Sequence, residues 1–352
     1  MVRVDSRGPS RVTSWLLVCA LMLCLPWPWA QLYGRPKLQS FILRAPMRYE
    51  AQRSLESQAL LRSRTQLQVT ADLKTRLIGE PGECLQLATL IGSGGSFTSQ
   101  WSTLYDHLSS EQRPLDFSMR QLYLHHENEV GRFSLGVIPP VKEVVSHTSM
   151  DNDGWIRGAR AVFKLRGGGP ADDGVIELVT GAVDHLDQPS AFQLPTRWNY
   201  HEFEWTHHWL GRWRTELGAV SLEGDRIVRS EARYRYRLER GLRLEGELSG
   251  ELLYNIDAAH PAYDLTLLMT KGAYQAKLEY SKIDERFGLL GRLVDDYFSL
   301  GTVKLIALRG PLPSKGISWF ARLHMSDTIV RGMAGVSYSL QLLEKGRRRE
   351  AQ

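Results

Sequence analysis

Arginine and glutamate alternate with apolar residues over residues 226–254. One parity carries Arg229, Glu231, Arg233, Arg235 and Arg237, then Arg243, Glu245, Glu247, Ser249 and Glu251. The other carries Val228, Ser230, Ala232, Tyr234, Tyr236 and Leu238, then Leu244, Gly246, Leu248, Gly250 and Leu252. Ions of both signs on one face suit a charged wall in water, where fixed charges concentrate and orient mobile ions. A turn centred on Arg240 would set Arg235 opposite Glu245, Arg233 opposite Glu247 and Arg229 opposite Glu251, at ~0.2–1 kcal/mol per pair. It would also lay Tyr234 over Gly246 and leave Arg237 beside Arg243, a local basic excess favouring anions. Glu177, Glu202 and Glu204 are acids that could offset that excess. The expected lining is therefore Arg229, Arg233, Arg235, Arg237, Arg243, Glu245, Glu247 and Glu251.

Other candidate chemistry reads as ordinary structure. Asp151, Asn152, Asp153 and Gly154 look like the opening of a calcium loop, but the distal glutamate is missing and a turn explains them. His125, His126 and Glu127 are adjacent in sequence, as are His207 and His208. Neighbouring strand residues point to opposite faces, so neither group can chelate one metal. Ser93 and Ser96 in GSGGS lack nucleophile-elbow spacing. The glycine runs 92–95 and 167–169 lack GK[ST] and join strand to strand, so they are turns. No metal site, no cofactor and no enzymatic activity is expected.

The elements that would position the charges are strands. From Thr65 onward, Leu67, Val69, Ala71, Leu73, Thr75 and Leu77 alternate with Gln66, Gln68, Thr70, Asp72, Lys74 and Arg76. Period-two alternation marks a half-solvated strand, and it recurs to the end of the chain. Sixteen strands are expected, near 66–77, 84–91, 96–105, 115–126, 131–138, 154–165, 174–183, 199–208, 212–222, 226–238, 242–254, 263–270, 273–282, 297–308, 317–326 and 329–341. Several reach the ~9–11 residues of a tilted membrane strand, beyond the ~5–6 usual in soluble proteins. A face carrying arginine cannot meet lipid, where each costs about 2–4 kcal/mol at the midplane. With both termini on one side, long connections (139–153, 184–198, 283–296, and the shorter 78–83) fall at one end. Short ones (92–95, 127–130, 239–241) fall at the other. Aromatics cluster near strand ends, at Tyr105, Trp155, Trp198, Tyr254 and Tyr263 and at Trp209, Trp213 and Tyr274, as interfacial girdles would.

The flanks set the compartment. Arg3, Arg7 and Arg11 precede an apolar run from Trp15 to Leu25, so residues 1–30 read as a secretory signal peptide. Of three cysteines, Cys19 and Cys24 lie in that leader, leaving Cys84 without an internal disulfide partner. The formal charge of +5 loses three with the leader arginines and regains one with Asp5, giving +3, which argues nothing for nucleic acid. Residues 31–65 read as a periplasmic or plug-like N-terminal segment with a weak helix at 49–64. The barrel proper would span 66–343, followed by a basic tail at 344–352.

The stretches GRFSLGVIPP (131–140), MDNDGWIRGARAVFKL (150–165) and GVIELVTGAVDHLD (174–187) resemble porins and alginate-export-type outer-membrane barrels. The resemblance implies an all-β chain: an antiparallel transmembrane β-barrel of about sixteen strands in the bacterial outer membrane. It also implies passage of small hydrophilic solutes, with outer-membrane lipids, the barrel-insertion machinery and further copies of the chain as partners; the basic excess at Arg237 and Arg243 adds an expected leaning towards anionic or sugar-like ones. Where such proteins end on an aromatic residue, this chain passes Tyr338 and Leu342 into KGRRREAQ. The alternative is a soluble exported β-sandwich binding polysaccharide or lipid on an apolar face.

Overall fold

Strict alternation leaves each strand one apolar and one polar face, and a sheet built from such strands must bury the first and hydrate the second. The structure, a computed structural model, describes residues 36–342 apart from 81–82, 95, 98, 113–114, 141–153, 167–172, 185, 187–196, 210, 239–243 and 294–300. The expected leader 1–30, residues 31–35 and the basic tail 344–352 lie outside the described residues, as does Asp151–Asp153.

The strands are β1 (Lys37–Ser54), β2 (Leu60–Leu67), β3 (Thr70–Glu80), β4 (Glu83–Ser93), β5 (Ser102–Asp106), β6 (Glu111–Gln112), β7 (Phe117–Glu127), β8 (Gly131–Ile138), β9 (Ile156–Arg166) and β10 (Asp173–Ala182). Then follow β11 (Tyr200–Trp209), β12 (Trp213–Leu222), β13 (Asp225–Leu238), β14 (Leu244–Asn255), β15 (His260–Lys271), β16 (Tyr274–Ile283), β17 (Gly301–Pro311), β18 (Ile317–Ser326) and β19 (Ile329–Leu342). They form one antiparallel sheet that closes when β1 pairs with β19, from Phe41 opposite Leu342 to Ser54 opposite Ile329. Three pairs of segments are each one interrupted row: β2 with β3 along β1, β4 with β5 beside them, and β6 with β7 next. The closed barrel therefore has sixteen rows. A single closed sheet excludes the two-sheet sandwich alternative.

The count agrees with expectation, yet the strands differ at the start. Residues 37–54, assigned above to a plug-like segment, are the first wall strand. Phe41, Leu43, Ala45, Met47, Tyr49 and Ala51 alternate with Ile42, Arg44, Pro46, Arg48, Glu50 and Gln52. Pro46 argues against a strand interior. It is accommodated opposite the gap where the partner changes from β2 to β3, and its carbonyl takes the Gln68 amide at 2.9 Å. The expected helix at 49–64 is instead the β1–β2 hairpin. At 84–105 the expected pair of strands is one row, and 92–95 is not a hairpin turn. Gly94 sits at φ +75, where a Cβ would press on the Gln100 backbone, and the chain leaves the wall there until Ser102. The 78–83 connection consequently lies at the same end as 128–130, opposite to expectation.

Cross-strand partners share a face, so register fixes which side chains point in. Phe133, Phe163, Leu178, Phe203, Leu217, Val228, Leu248, Leu265, Ile306, Leu323 and Val336 all point out and are exposed. Lipid must cover this band, because burying each such side chain stabilises by ~1.5–3 kcal/mol. Trp209, Trp213 and Tyr274 are exposed at one end, and Trp198 and Tyr254 at the other. Trp155 departs from the girdle: it is 1% exposed and packs inside. Among the described residues no helix is long and apolar enough to cross a membrane, which says nothing about spanning strands.

Candidate functional site: the charged interior of the barrel

The β13–β14 hairpin is offset by two residues from expectation. Arg237 stands opposite Glu245, Arg235 opposite Glu247, Glu231 opposite Glu251, and Arg229 opposite Leu253. Each residue of β13 meets a partner two positions later than expected, and Tyr236, not Tyr234, lies over Gly246. Arg237 Nε meets Glu245 Oε1 at 3.0 Å, so the basic excess expected from Arg237 beside Arg243 is absent at Arg237. Arg243 lies outside the described residues. Arg235 Nε pairs with Glu247 Oε2 at 2.8 Å, while Arg233 reaches the same carboxylate diagonally at 3.2 Å and also pairs with Glu231. By register Arg229, Arg233, Arg235, Arg237, Glu245, Glu247 and Glu251 all share the inner face.

Arg229 is the centre of this wall. Its guanidinium contacts Glu216, meets Glu251 Oε1 at 3.0 Å and approaches Glu204 Oε2 at 3.5 Å, with its side chain 2% exposed. Around it the strand rows set acid directly against acid: Glu177 opposite Glu204, Glu216 opposite Glu231, Glu231 opposite Glu251, and Glu251 opposite Asp264. Directly opposed like charges destabilise a sheet, and the intercalated Arg229 and Arg233 offset that repulsion. The spacing that reveals Glu202 and Glu204 is ordinary alternation on β11. Glu216 was missed because a single acid on β12 carries no pattern of its own.

The opposing wall has the reverse polarity. Glu50, fully buried on β1, is contacted by Arg48 at 3.1 Å and Arg64 at 3.0 Å, with Arg331 of β19 at 3.9 Å. Arg48 also donates to Gln66 Oε1 at 2.8 Å and lies 4.1 Å over the Trp101 ring. Arg229 on one side thus sits among acids, and Glu50 on the other sits among cations. The Glu50 hub departs from expectation, since residues 31–65 read as a segment outside the wall; of the Arg229 hub, Arg229, Glu204 and Glu251 are expected in the lining and Glu216 is not. At the boundary, Arg160 Nε meets Glu177 Oε1 at 2.8 Å.

The other sequence candidates have structural surroundings. Ser93 is buried, donating to Gln100 O at 2.8 Å and accepting from the Val69 amide at 2.8 Å. His125 Nδ1 lies 3.0 Å from Ser134 Oγ, and among the described residues no group of three possible ligands could hold a metal ion. His207 faces outward with Trp205 and Trp209 in an aromatic ladder.

The interior turns apolar towards the end bearing the longest connections. Ile138, Ile156, Val179, Tyr200, Leu222, Ile227, Leu253, Ala262 and Ile283 line it as a collar running from β8 to β16. Two segments fold against this collar. Residues 94–101 bring in Phe97, whose amide donates to Leu186 O at 2.7 Å and whose ring lies 5.0 Å from Trp155. The turn Glu285–Phe287 and the helix α1 (Gly288–Leu293) bring in Phe287, Leu290 and Leu293, none more than 4% exposed.

That second segment is anchored by Asp284. Its carboxylate accepts from the Arg286 amide at 3.0 Å, pairs with the Arg286 guanidinium at 2.7 Å and lies 2.6 Å from His260 Nε2. The hydrogen bond from Arg286 holds the carboxyl below its ordinary value, outweighing partial burial. A lowered folded-state value means the anchor is complete above the ordinary carboxylate range and is lost only as pH falls through the lowered value. The charged groups facing it are Arg286, His260 and the neighbouring Glu285. Hydrogen exchange at the Arg286 and Phe287 amides, corrected for intrinsic pH dependence, should stay protected through mildly acid pH and rise only below the ordinary carboxylate range. Protection lost already near neutrality would refute the anchor.

A closed sixteen-row antiparallel barrel, apolar outside and charged inside, is the architecture of bacterial porins. Engineered variants of Rhodopseudomonas blastica porin align with it: one at TM-score 0.53 and 11% identity over 85% of this chain and 100% of that chain, another at 0.52 and 12% over the same shares. A structure titled "Asymmetric conductivity of engineered proteins" aligns at TM-score 0.52 and 10% identity, covering 87% of this chain and 100% of that one. No protein-family model matches the sequence, and no curated protein does. At such identity the likeness is one of fold.

Proposed function

We propose that the chain is an outer-membrane pore for small hydrophilic solutes rather than an enzyme. The observation that carries this reading is the inversion of the barrel: leucine, valine and phenylalanine face outward while paired arginines and glutamates face inward. Bilayer lipid satisfies the first and water the second, and sixteen strands enclose a channel-sized interior. The hairpin residues Arg229, Arg233, Arg235, Arg237, Glu245, Glu247 and Glu251, with Arg243 beyond them, belong to the lining in this reading. Insertion by a barrel-assembly machinery and association with further copies of the chain belong to the same reading.

Opposed acidic and basic walls set a field across the passage rather than along it. Solutes carrying both signs, or strong dipoles such as sugars, align with such a field, while simple anions and cations are treated nearly alike. In planar bilayers under a salt gradient, the purified protein should form channels with a reversal potential close to zero. A strongly cation- or anion-selective channel would refute the transverse arrangement, and absence of any channel from folded protein would refute the pore.

The long connections at 139–153, 184–198 and 283–296 should face outside the cell and 239–241 the periplasm. Single cysteines at Ser149 and Arg240, in a Cys84→Ala background, test this with an impermeant thiol reagent on whole cells. Labelling at 149 alone is expected, and labelling at 240 alone would invert the barrel.

A further inference from the structure

The outer face of the wall carries two cations that no protein group neutralises. Lys282 on β16 stands opposite Tyr263, and Lys304 on β17 stands opposite Tyr280, itself opposite the outward Leu265, so both lysines point towards lipid. Neither makes an ion pair with a described residue. Their own face offers none, since from β11 to β19, among the described residues, no outward strand position bears a carboxylate. Lys304 is exposed and lies two residues beyond Thr302, the partner of Lys282, ~7 Å further along the strand from the rim. A lysine on the lipid face is destabilising in proportion to its depth, so this pair calls for an anion from outside the protein.

The same rows of partners lead from the lysines to a groove. Tyr263 stands opposite Leu252 and Leu265 opposite Gly250, with the Tyr263 and Tyr280 rings 5.9 Å apart between groove and lysines. Leu252 and Gly250 border a groove of about 600 Å³ on the outer surface, together with Ser230 and Ala232 of β13 and, beyond them, Leu217 and Trp205. Small side chains among large ones leave the depression. Glu216, Glu231 and Glu251 alternate with these positions and point inward, so they meet the groove through main-chain atoms. Trp205 and Leu217 lie near the middle of β11 and β12, whereas Lys282 is one residue from the end of β16, so the groove sits deeper in the bilayer than the cations.

We propose that this stretch of wall binds one membrane lipid, with its phosphate between Lys282 and Lys304 and an acyl chain in the groove below. The two lysines are diagonal neighbours on adjacent strands, ~7–8 Å apart and within reach of long side chains, so both ammonium groups can close on one phosphate. The phosphate supplies the counter-charge that this face lacks. The chain fills a depression continuous with the band that lipid already covers, and the tyrosines mark the level of the headgroups. The site needs the barrel to stand in a bilayer and is independent of whether the barrel conducts.

Native mass spectrometry tests it on folded protein in a neutral detergent, titrated with dioleoyl phosphatidylglycerol, each variant first shown to be folded by its heat-modifiable migration on gels. One lipid should bind more tightly than those that follow. Lys282→Ala with Lys304→Ala should weaken that first binding about twentyfold, roughly fivefold for each cation. Gly250→Leu keeps both cations and fills the groove, where a Cβ would meet the Leu265 side chain at an ordinary 3.9 Å, and should weaken it severalfold. Lys271→Ala removes an exposed outward lysine from the opposite end of β15 and should change nothing. Undiminished binding in the double alanine variant or in Gly250→Leu overturns the site, as does an equal loss in Lys271→Ala, which would make any surface cation sufficient. Displacement of the lipid by millimolar inorganic phosphate would show a site for free anions, and paired chains in place of lipid adducts would show an interface between copies; either overturns the lipid. The double alanine variant should form the same channels as wild type in planar bilayers, so the pore reading stands or falls separately.

Discussion

An Arg229→Met barrel is expected to lose most of its thermal resistance in detergent. The substitution keeps much of the side chain's length and removes the cation that Glu204, Glu216 and Glu251 share, in a site where the arginine is 2% exposed. Breaking a buried ion pair by deleting one partner costs about 3–5 kcal/mol, because the orphaned charge stays desolvated. Here several carboxylates are orphaned together. The temperature at which the folded gel band converts to the unfolded one should fall sharply. Adding Glu216→Gln to the same chain should recover part of the loss by removing one orphan. Arg229→Lys should lie between, since an ammonium keeps the charge but cannot present the planar fork that reaches several acids at once. A single methionine variant as heat-resistant as the wild type would mean that the hub contributes nothing to stability.

Gly335→Val should prevent the barrel from closing at all. A Cβ at this position would press directly on the Met47 carbonyl, come within 3.0 Å of the Arg48 Cα and meet the Phe320 ring at 2.7 Å. The first two are backbone atoms of β1, across the seam from β19, and cannot rotate away. Forcing the seam apart exposes two strand edges to lipid, where each unpaired N–H or C=O costs several kcal/mol. No folded band should be recovered. Gly332→Ala, on the same strand with open space around its Cα, is the matched control and should assemble normally. Normal assembly of the valine variant would show that β1 can bow outwards to accommodate it.

Periodicity made most of the wall legible. The boundaries expected for 131–138 and 317–326 coincide with β8 and β18, and β9 to β16 begin and end within a few residues of expectation. Alternation is a local signal, so what it failed to show is what depends on partners. β1 departs from expectation because residues 49–64 carry a weak helical pattern, and Pro46 suits a strand interior only where the partner changes from β2 to β3. Residues 92–95 read as a turn and 96–105 as the next strand, because glycine and serine mark a departure from the strand without saying whether the chain turns back or inward. The two errors offset each other, which is why the strand count survived them. Register escaped for a related reason: charge pairing on the hairpin is satisfied almost equally well two residues away, where Arg235 and Arg237 meet Glu247 and Glu245. The acid hub needed neighbours from four strands, and sequence shows strands only one at a time.

The seam between β1 and β19 also governs time. It joins residues about three hundred positions apart, with Phe41 opposite Leu342. Every other row can pair with a neighbour already made, but this one waits for the final strand. Contacts so distant in sequence form slowly, because the chain entropy of bringing the ends together is lost before any pairing repays it. Until then the nascent sheet has two open edges, each able to pair with another chain. Assembly should therefore be slow and limited by a single late step, and a chain cut before Ile329 should accumulate as an edge-exposed sheet that never becomes heat-modifiable.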